Sequence, residues 1–360
     1  MSLSTSNSDV PASDGHWAGV KLFVRWALGR AGIGCATLVV LLVAGELYMR
    51  AMFLPSIIYR RDAELGYTYR PNHRAITWQG NYSMPSPPLS FNSDGNRGED
   101  SDWSKKIVLS LGSSEVVGPG IADDETWAAQ LETLIHEADG SDAVEVVNGA
   151  YEGHGPFQHA VVFDRFLDKH DIDTAVMRVS VGDRHFKRPK DIPEKSWLHH
   201  FLRDNTIFVR FLINKSLAQI RPAKKATVPF PFRRDKKKTD PHFMDFAKKM
   251  WEANESHWKQ AVDSAVRENV RLVFLVINAT GKEGETYLAN QLRGLIGDAK
   301  NVSVLELGPD VFGLDTLPFD EREPVFVKDL TLGFDPHGNA TQHRTVAESL
   351  QRYLTENPRK

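Results

Sequence analysis

The chain has 360 residues, 41% hydrophobic and 25% charged, an ordinary globular balance that allows a full core with additions. Its formal charge of −3 gives no electrostatic reason to expect a nucleic-acid partner. A single cysteine, Cys35, excludes a disulfide framework and a cysteine-based zinc site within one chain.

Residues 1–16 are rich in Ser, Asp and Gly and read as a disordered tail. Residues 17–54 carry "KLFVRWALGRAGIGCATLVVLLVAGELYMRAMFL". The uncharged stretch 31–45 is shorter than the roughly 20 residues a spanning helix needs. Apolar flanks at 20–28 and 47–54 extend it, with Arg30 and Glu46 snorkelling or pairing. Lys21, Arg25 and Arg30 lie on its N-terminal side, so the positive-inside tendency keeps the tail cytoplasmic and exports the rest. The segment reads as a single signal anchor; a cleaved signal peptide and a buried core helix are the alternatives. "GIGC" does not read as a lipidation box, because the apolar run follows Cys35 instead of preceding it.

Residues 55–105 hold many Pro, Gly, Asn and Ser, with short aromatic pieces, and predict an extended arm or short β-ribbon outside the core. From residue 106 the pattern changes. The run 107–111 suits a strand buried on both faces. Trp127, Leu131, Leu134 and Ile135 recur at helical spacing, with Asp123 or Asp124 as N-cap. "VEVVNGA" predicts a second strand and "FQHAVVFDRFLDKH" a helix with Pro156 near its start. "TAVMRVSV", "RLVFLVIN" and "VSVLEL" predict three more strands, and Val346, Leu350 and Leu354 a final helix. Strands alternating with helices predict an α/β domain over 106–357, a doubly wound parallel five-stranded sheet flanked by helices. An insertion at about 186–268 carries two helical stretches around "RPAKKATVPFPFRRDKKKTDPH". That basic run reads as a solvated loop or as a contact for anionic headgroups or an anionic polymer.

Doubly wound sheets bind ligands beyond the C-terminal ends of their strands. "LGSSEVVGPG" stands there, after the first strand. A serine hydroxyl is a weak nucleophile that needs a base, an orienting group and oxyanion donors. After the second strand, Gly153 and Gly155 in "NGAYEGHGPFQ" allow close backbone approach. In "GFDPHGNATQHRTVAESL", Asp335 and His337 stand two apart, stiffened by Pro336, and could supply orienter and base. His154 and His185 could approach the site but read as surface or hydrogen-bonding histidines. A phosphate loop is disfavoured, because "GSSEVVGPG" lacks the Lys-Ser/Thr ending and carries Glu115.

The order of these degenerate blocks resembles the SGNH, or GDSL-like, hydrolases, in particular bacterial members with an N-terminal membrane anchor. The resemblance covers roughly 62–350 apart from the middle insertion. "ELGYTYRPN" and "FNSDGNRGED" are similar to the arm that precedes the catalytic domain there. The resemblance implies Ser114 as nucleophile, His337 as base and Asp335 as its orienter, with Ser114, Gly153 and Gly182 at the oxyanion positions. Two departures stand out. Ser113 replaces the acidic residue beside the nucleophile, and "SVGD" puts Gly182 where an asparagine donor is usual, followed by Asp183. The Asp-x-His spacing is similar to relatives that acetylate extracellular polysaccharides.

Three functions follow as expectations. The first is a membrane-anchored periplasmic serine esterase acting on acyl, above all acetyl, esters, with no metal or organic cofactor. The second is transfer of the acyl group to a cell-envelope or exported polysaccharide. The third is a catalytically impaired glycan-binding or scaffold domain of an envelope complex, motivated by Ser113 and Gly182.

Overall fold

A computed structural model describes residues 14–52, 59–79, 84–183, 241–331 and 337–358. The chain opens with one long helix, α1 (Asp14–Met52). Its stretch Phe23–Tyr48, 26 residues of mean hydropathy 2.0, is long and apolar enough to cross a membrane, and none of it is buried. The Arg30 guanidinium lies 4.1 Å from the Trp26 ring centroid, so one charge near the apolar stretch rests on an aromatic face.

Two antiparallel hairpins follow, β1 (Tyr59–Asp62) with β2 (Gly66–Tyr69), and β3 (His73–Gln79) with β4 (Met84–Phe91). The β-ribbon predicted for 55–105 is present, but its placement outside the core is corrected. Leu65, Tyr69, Leu89 and Phe91 are buried in the same cluster as the central sheet. A few apolar side chains, spaced far apart in a polar segment, are enough to fix it there.

The sheet has five parallel strands in the order β6-β5-β7-β8-β9. They are β5 (Lys106–Leu111), β6 (Val144–Asn148), β7 (Ile172–Val179), β8 (Arg271–Ile277) and β9 (Val302–Leu307). The continuous apolar runs are explained by cover on both faces. Leu272, Val273, Phe274, Leu275 and Val276 of β8 are all fully buried. Helix α3 (Trp127–Asp139) packs on the last helix, α8 (Ala340–Glu356). Helix α5 (Pro241–Arg267) packs on α4 (Pro156–Leu167) and on α6 (Glu283–Ile296). Between β9 and α8 lies α7 (Phe319–Leu330).

Two further expectations change. The segment 241–268 is no insertion: Trp251, Trp258, Ala261, Val262 and Ala265 of α5 are core residues on the crossover from β7 to β8. The basic run up to residue 240 and His185 lie outside the described residues. The N-cap of α3 is Thr126, whose Oγ1 accepts the Ala129 N–H at 3.4 Å, not Asp123 or Asp124. Asp123 is already held: Arg97 Nε donates to it at 2.8 Å and the Ser90 N–H at 3.2 Å.

Candidate active site

Three loops meet at the C-terminal ends of the adjacent strands β6, β5 and β7. After β5 the chain turns through Gly112 and Ser113 into a four-residue helix, α2 (Ser114–Val117), with Ser114 at its first position. Gly112 has φ +152°, and a Cβ there would stand 2.5 Å from Val116 Cγ2 and 3.2 Å from Arg178 Cβ. Only glycine lets β5 turn this tightly against β7. The Ser114 N–H, a first-turn donor without an intrahelical acceptor, has no hydrogen-bond partner among the described residues.

His337 approaches from the other end of the chain. Its Nε2 lies 2.8 Å from Ser114 Oγ. For the hydroxyl to donate across this contact, the imidazole must be neutral with its proton on Nδ1. The loop carrying His337 is pinned at both ends. Thr331 and Gly338 form an antiparallel bridge. Asn339 donates its side-chain N–H groups to the Asp329 and Thr331 carbonyls and accepts the Gln342 N–H at 3.0 Å, capping α8. Asp335 and Pro336 lie outside the described residues.

Gly153 follows β6 with φ +75°, and its N–H has no hydrogen-bond partner among the described residues. Gly182 differs: its N–H donates to Ser180 Oγ at 3.0 Å. Asp183 turns inward below the Gly112–Ser114 turn. Its carboxylate accepts the Ser180 N–H at 2.8 Å and lies 3.5 Å from both Ser113 Oγ and Arg178 Nη1. Arg178 also pairs with Glu115. The half-buried Glu285 of α6 accepts from Ser180 Oγ at 3.0 Å and from the Val181 N–H at 3.3 Å. Burial pushes the Asp183 carboxyl up to about 6 against the pull of Arg178, and pushes Glu285 up to about 7.

His154 is buried. Its Nε2 bonds the Tyr67 carbonyl at 3.1 Å, and burial pushes it down to about 3, so it is neutral and is held by the ribbon. His343, buried on α8, accepts the Trp127 N–H through Nδ1 at 2.9 Å and is likewise pushed down to about 3 by burial.

One important residue escaped the sequence reading. Arg97 is 5% exposed and clamps the segment after α2. It donates to the carbonyls of Val117, Gly118 (2.5 Å) and Ile121 (2.7 Å) as well as to Asp123. Asn148, at the end of β6, adds a bond from Nδ2 to the Val116 carbonyl at 3.0 Å. A lone arginine within an Asn/Gly-rich turn was the only signal in the sequence.

No protein-family model matches the sequence, and no curated protein matches it. Solved structures do match, and these neighbours are SGNH/GDSL-family esterases of low sequence identity. A protein from Desulfitobacterium hafniense described as lipolytic and of the G-D-S-L family is 14% identical, with TM-score 0.39, and the match covers 69% of this chain and 100% of that one. The psychrotrophic esterase EstA from a Pseudoalteromonas species is 14% identical with TM-score 0.39, over 70% of this chain and 100% of its own. A catalytic mutant of the acetylxylan esterase Axe2 from Geobacillus stearothermophilus is 10% identical with TM-score 0.41, over 71% and 95%.

Proposed function

We propose that the protein is a membrane-anchored serine esterase of SGNH type acting on acyl esters, with acetyl as the acyl group. The observation that carries this reading is the 2.8 Å approach of His337 Nε2 to Ser114 Oγ. A nucleophile and a base within 2.6–3.2 Å can transfer a proton as attack begins.

In this reading Ser114 Oγ attacks the ester carbonyl while His337 takes its proton. The tetrahedral oxyanion is held by the N–H groups of Ser114 and Gly153. His337 returns the proton to the leaving alkoxide. The acyl-enzyme is then released to water, or to a sugar hydroxyl in the transferase variant. Asp335 is assigned to His337 Nδ1–H. The apolar stretch of α1 serves as the anchor that holds the domain at the membrane, on the periplasmic side.

A second reading, a glycan-binding domain without turnover, is favoured by one observation. The Gly182 N–H is committed to Ser180, so no third oxyanion donor stands at that position. Covalent labelling separates the two. The full-length chain in detergent is exposed to a fluorophosphonate, and the modified peptide is identified by mass spectrometry. Labelling at Ser114, abolished by Ser114→Ala and reduced at least about 10³-fold by His337→Gln, is the expected result. An unlabelled Ser114, or labelling that survives Ser114→Ala, would sink the esterase assignment.

A further inference from the structure

Glu152 stands directly before Gly153, and three tyrosines of the β1–β2 hairpin hold it. Tyr59 Oη donates to Glu152 Oε2 at 2.5 Å. Tyr67 Oη donates to the Glu152 carbonyl at 2.5 Å. Tyr69 Oη accepts the Glu152 N–H at 2.9 Å. The side chain, the carbonyl and the amide of one residue are thus each fixed by a different ring. Tyr67 and Tyr69 lie two apart on one strand and so share a face, and Tyr59 pairs with Tyr69 in the hairpin register. Burial raises all three phenols, so they stay protonated at any working pH, Tyr59 and Tyr67 as donors to Glu152 and Tyr69 as its acceptor. The hairpin is itself tied down by a two-pronged bond from Arg165 of α4 to Asp62, at 2.8 and 3.1 Å.

The Glu152 carbonyl and the Gly153 N–H belong to one planar, trans peptide group, so fixing the direction of one fixes the other. The same bond withdraws charge through the peptide and makes the N–H a better donor. The glycine is part of the arrangement, because a Cβ on residue 153 would stand 2.8 Å from Tyr67 Oη. We infer that this tyrosine clamp positions the Gly153 N–H, with Tyr67 acting through the 152–153 peptide plane and Tyr59 and Tyr69 fixing the rest of Glu152. The inference rests on the proposed role of Gly153 as oxyanion donor. It makes the three tyrosines positioning residues and the ribbon next to α1 a working part of the site.

The test uses full-length protein in detergent with three variants, Tyr67→Phe, Tyr59→Phe and Tyr69→Phe. Fluorophosphonate labelling rate, kcat and KM on a short-acyl nitrophenyl ester, and melting temperature are measured for each. Tyr67→Phe is expected to slow labelling and kcat about tenfold or more, below the 10²–10³ of losing an oxyanion donor outright, with KM within about twofold. Hydrogen exchange at the Gly153 amide should rise in that variant. Tyr59→Phe releases the carboxylate alone and should slow labelling by a smaller factor than Tyr67→Phe, about threefold, at unchanged KM. If Tyr67→Phe does not fold, Tyr69→Phe carries the test, with slower labelling at unchanged KM expected. Wild-type labelling by folded Tyr67→Phe, or by Tyr69→Phe where Tyr67→Phe fails to fold, overturns the clamp alone. A wild-type chain that is not labelled at Ser114 overturns the esterase reading and the clamp with it.

Discussion

Gly112 is the residue on which the turn into Ser114 depends most directly. Val116 is fully buried and cannot retreat from a new methyl group 2.5 Å away. Gly112→Ala is therefore expected to cost about 1–3 kcal/mol through overpacking and backbone strain, and to displace Ser114. A lower melting temperature together with lost fluorophosphonate labelling would show it; an unchanged melting temperature would refute it. The sequence marked this glycine only as a turn after a strand. The reason for it, a side chain four residues on and another on β7, becomes visible only once the strands are adjacent. The same holds for Asp183. Its place next to Gly182 was legible, but its inward turn toward Ser113 and Arg178 was not, because that depends on the pairing of β5 with β7.

Among the elements, the ribbon shows where composition misleads. Averaged over 55–105 the segment is polar and turn-rich, so it reads as an arm. Its buried apolar residues among those described, Leu65, Tyr69, Leu89 and Phe91, are too few to alter that average, yet each is under 4% exposed. Tyr69 stacks on Phe91 at 4.1 Å and on Tyr151 at 5.1 Å between ring centroids. A chain begun at residue 106 should therefore expose this core surface and aggregate on expression, whereas one begun at residue 55 should stay folded. Soluble yield and a cooperative melting transition for the two chains check this. Helix α5 teaches the converse. The stretch reads as helical, and Trp251 and Trp258, two helical turns apart on it, are buried in the core. The basic run before them hid that this helix is the crossover of the sheet itself. The strands were most legible where cover on both faces calls for a continuous apolar run, as in β8, whereas β6 and β9 at the sheet edges carry Glu145 and Glu306.

At the scale of the whole molecule, buried titratable groups set how the protein responds to acid. Burial pushes His154, His159 and His343 from 6.5 down to about 3, so all three are neutral in the folded state. Their contribution to stability is present above about pH 6.5 and is lost as pH falls toward 3, because the unfolded chain takes up protons the folded one refuses. Asp183 and Glu285 act in the opposite sense. Their carboxyls are raised from 3.8 to about 6 and from 4.5 to about 7, so their stabilisation is present near pH 4 and lost as pH rises to 6–7. Three imidazoles outweigh two carboxyls between these limits, and stability should fall on going from pH 7 to pH 5. His343→Asn, which retains an acceptor for the Trp127 N–H, should flatten that dependence. Urea midpoints of both chains at the two pH values provide the measurement, and an equal drop in both would refute it.

His337 and Ser114 meet across 223 positions of sequence. On the ribosome the serine emerges early, and all five strands are complete before the histidine leaves the exit tunnel. A nascent or prematurely terminated polypeptide can therefore own a finished sheet while its hydroxyl stays inert. In the proposed esterase, Ser114 would gain its base only once the stretch carrying His337 is made, so a polypeptide cut short before it would not attack esters.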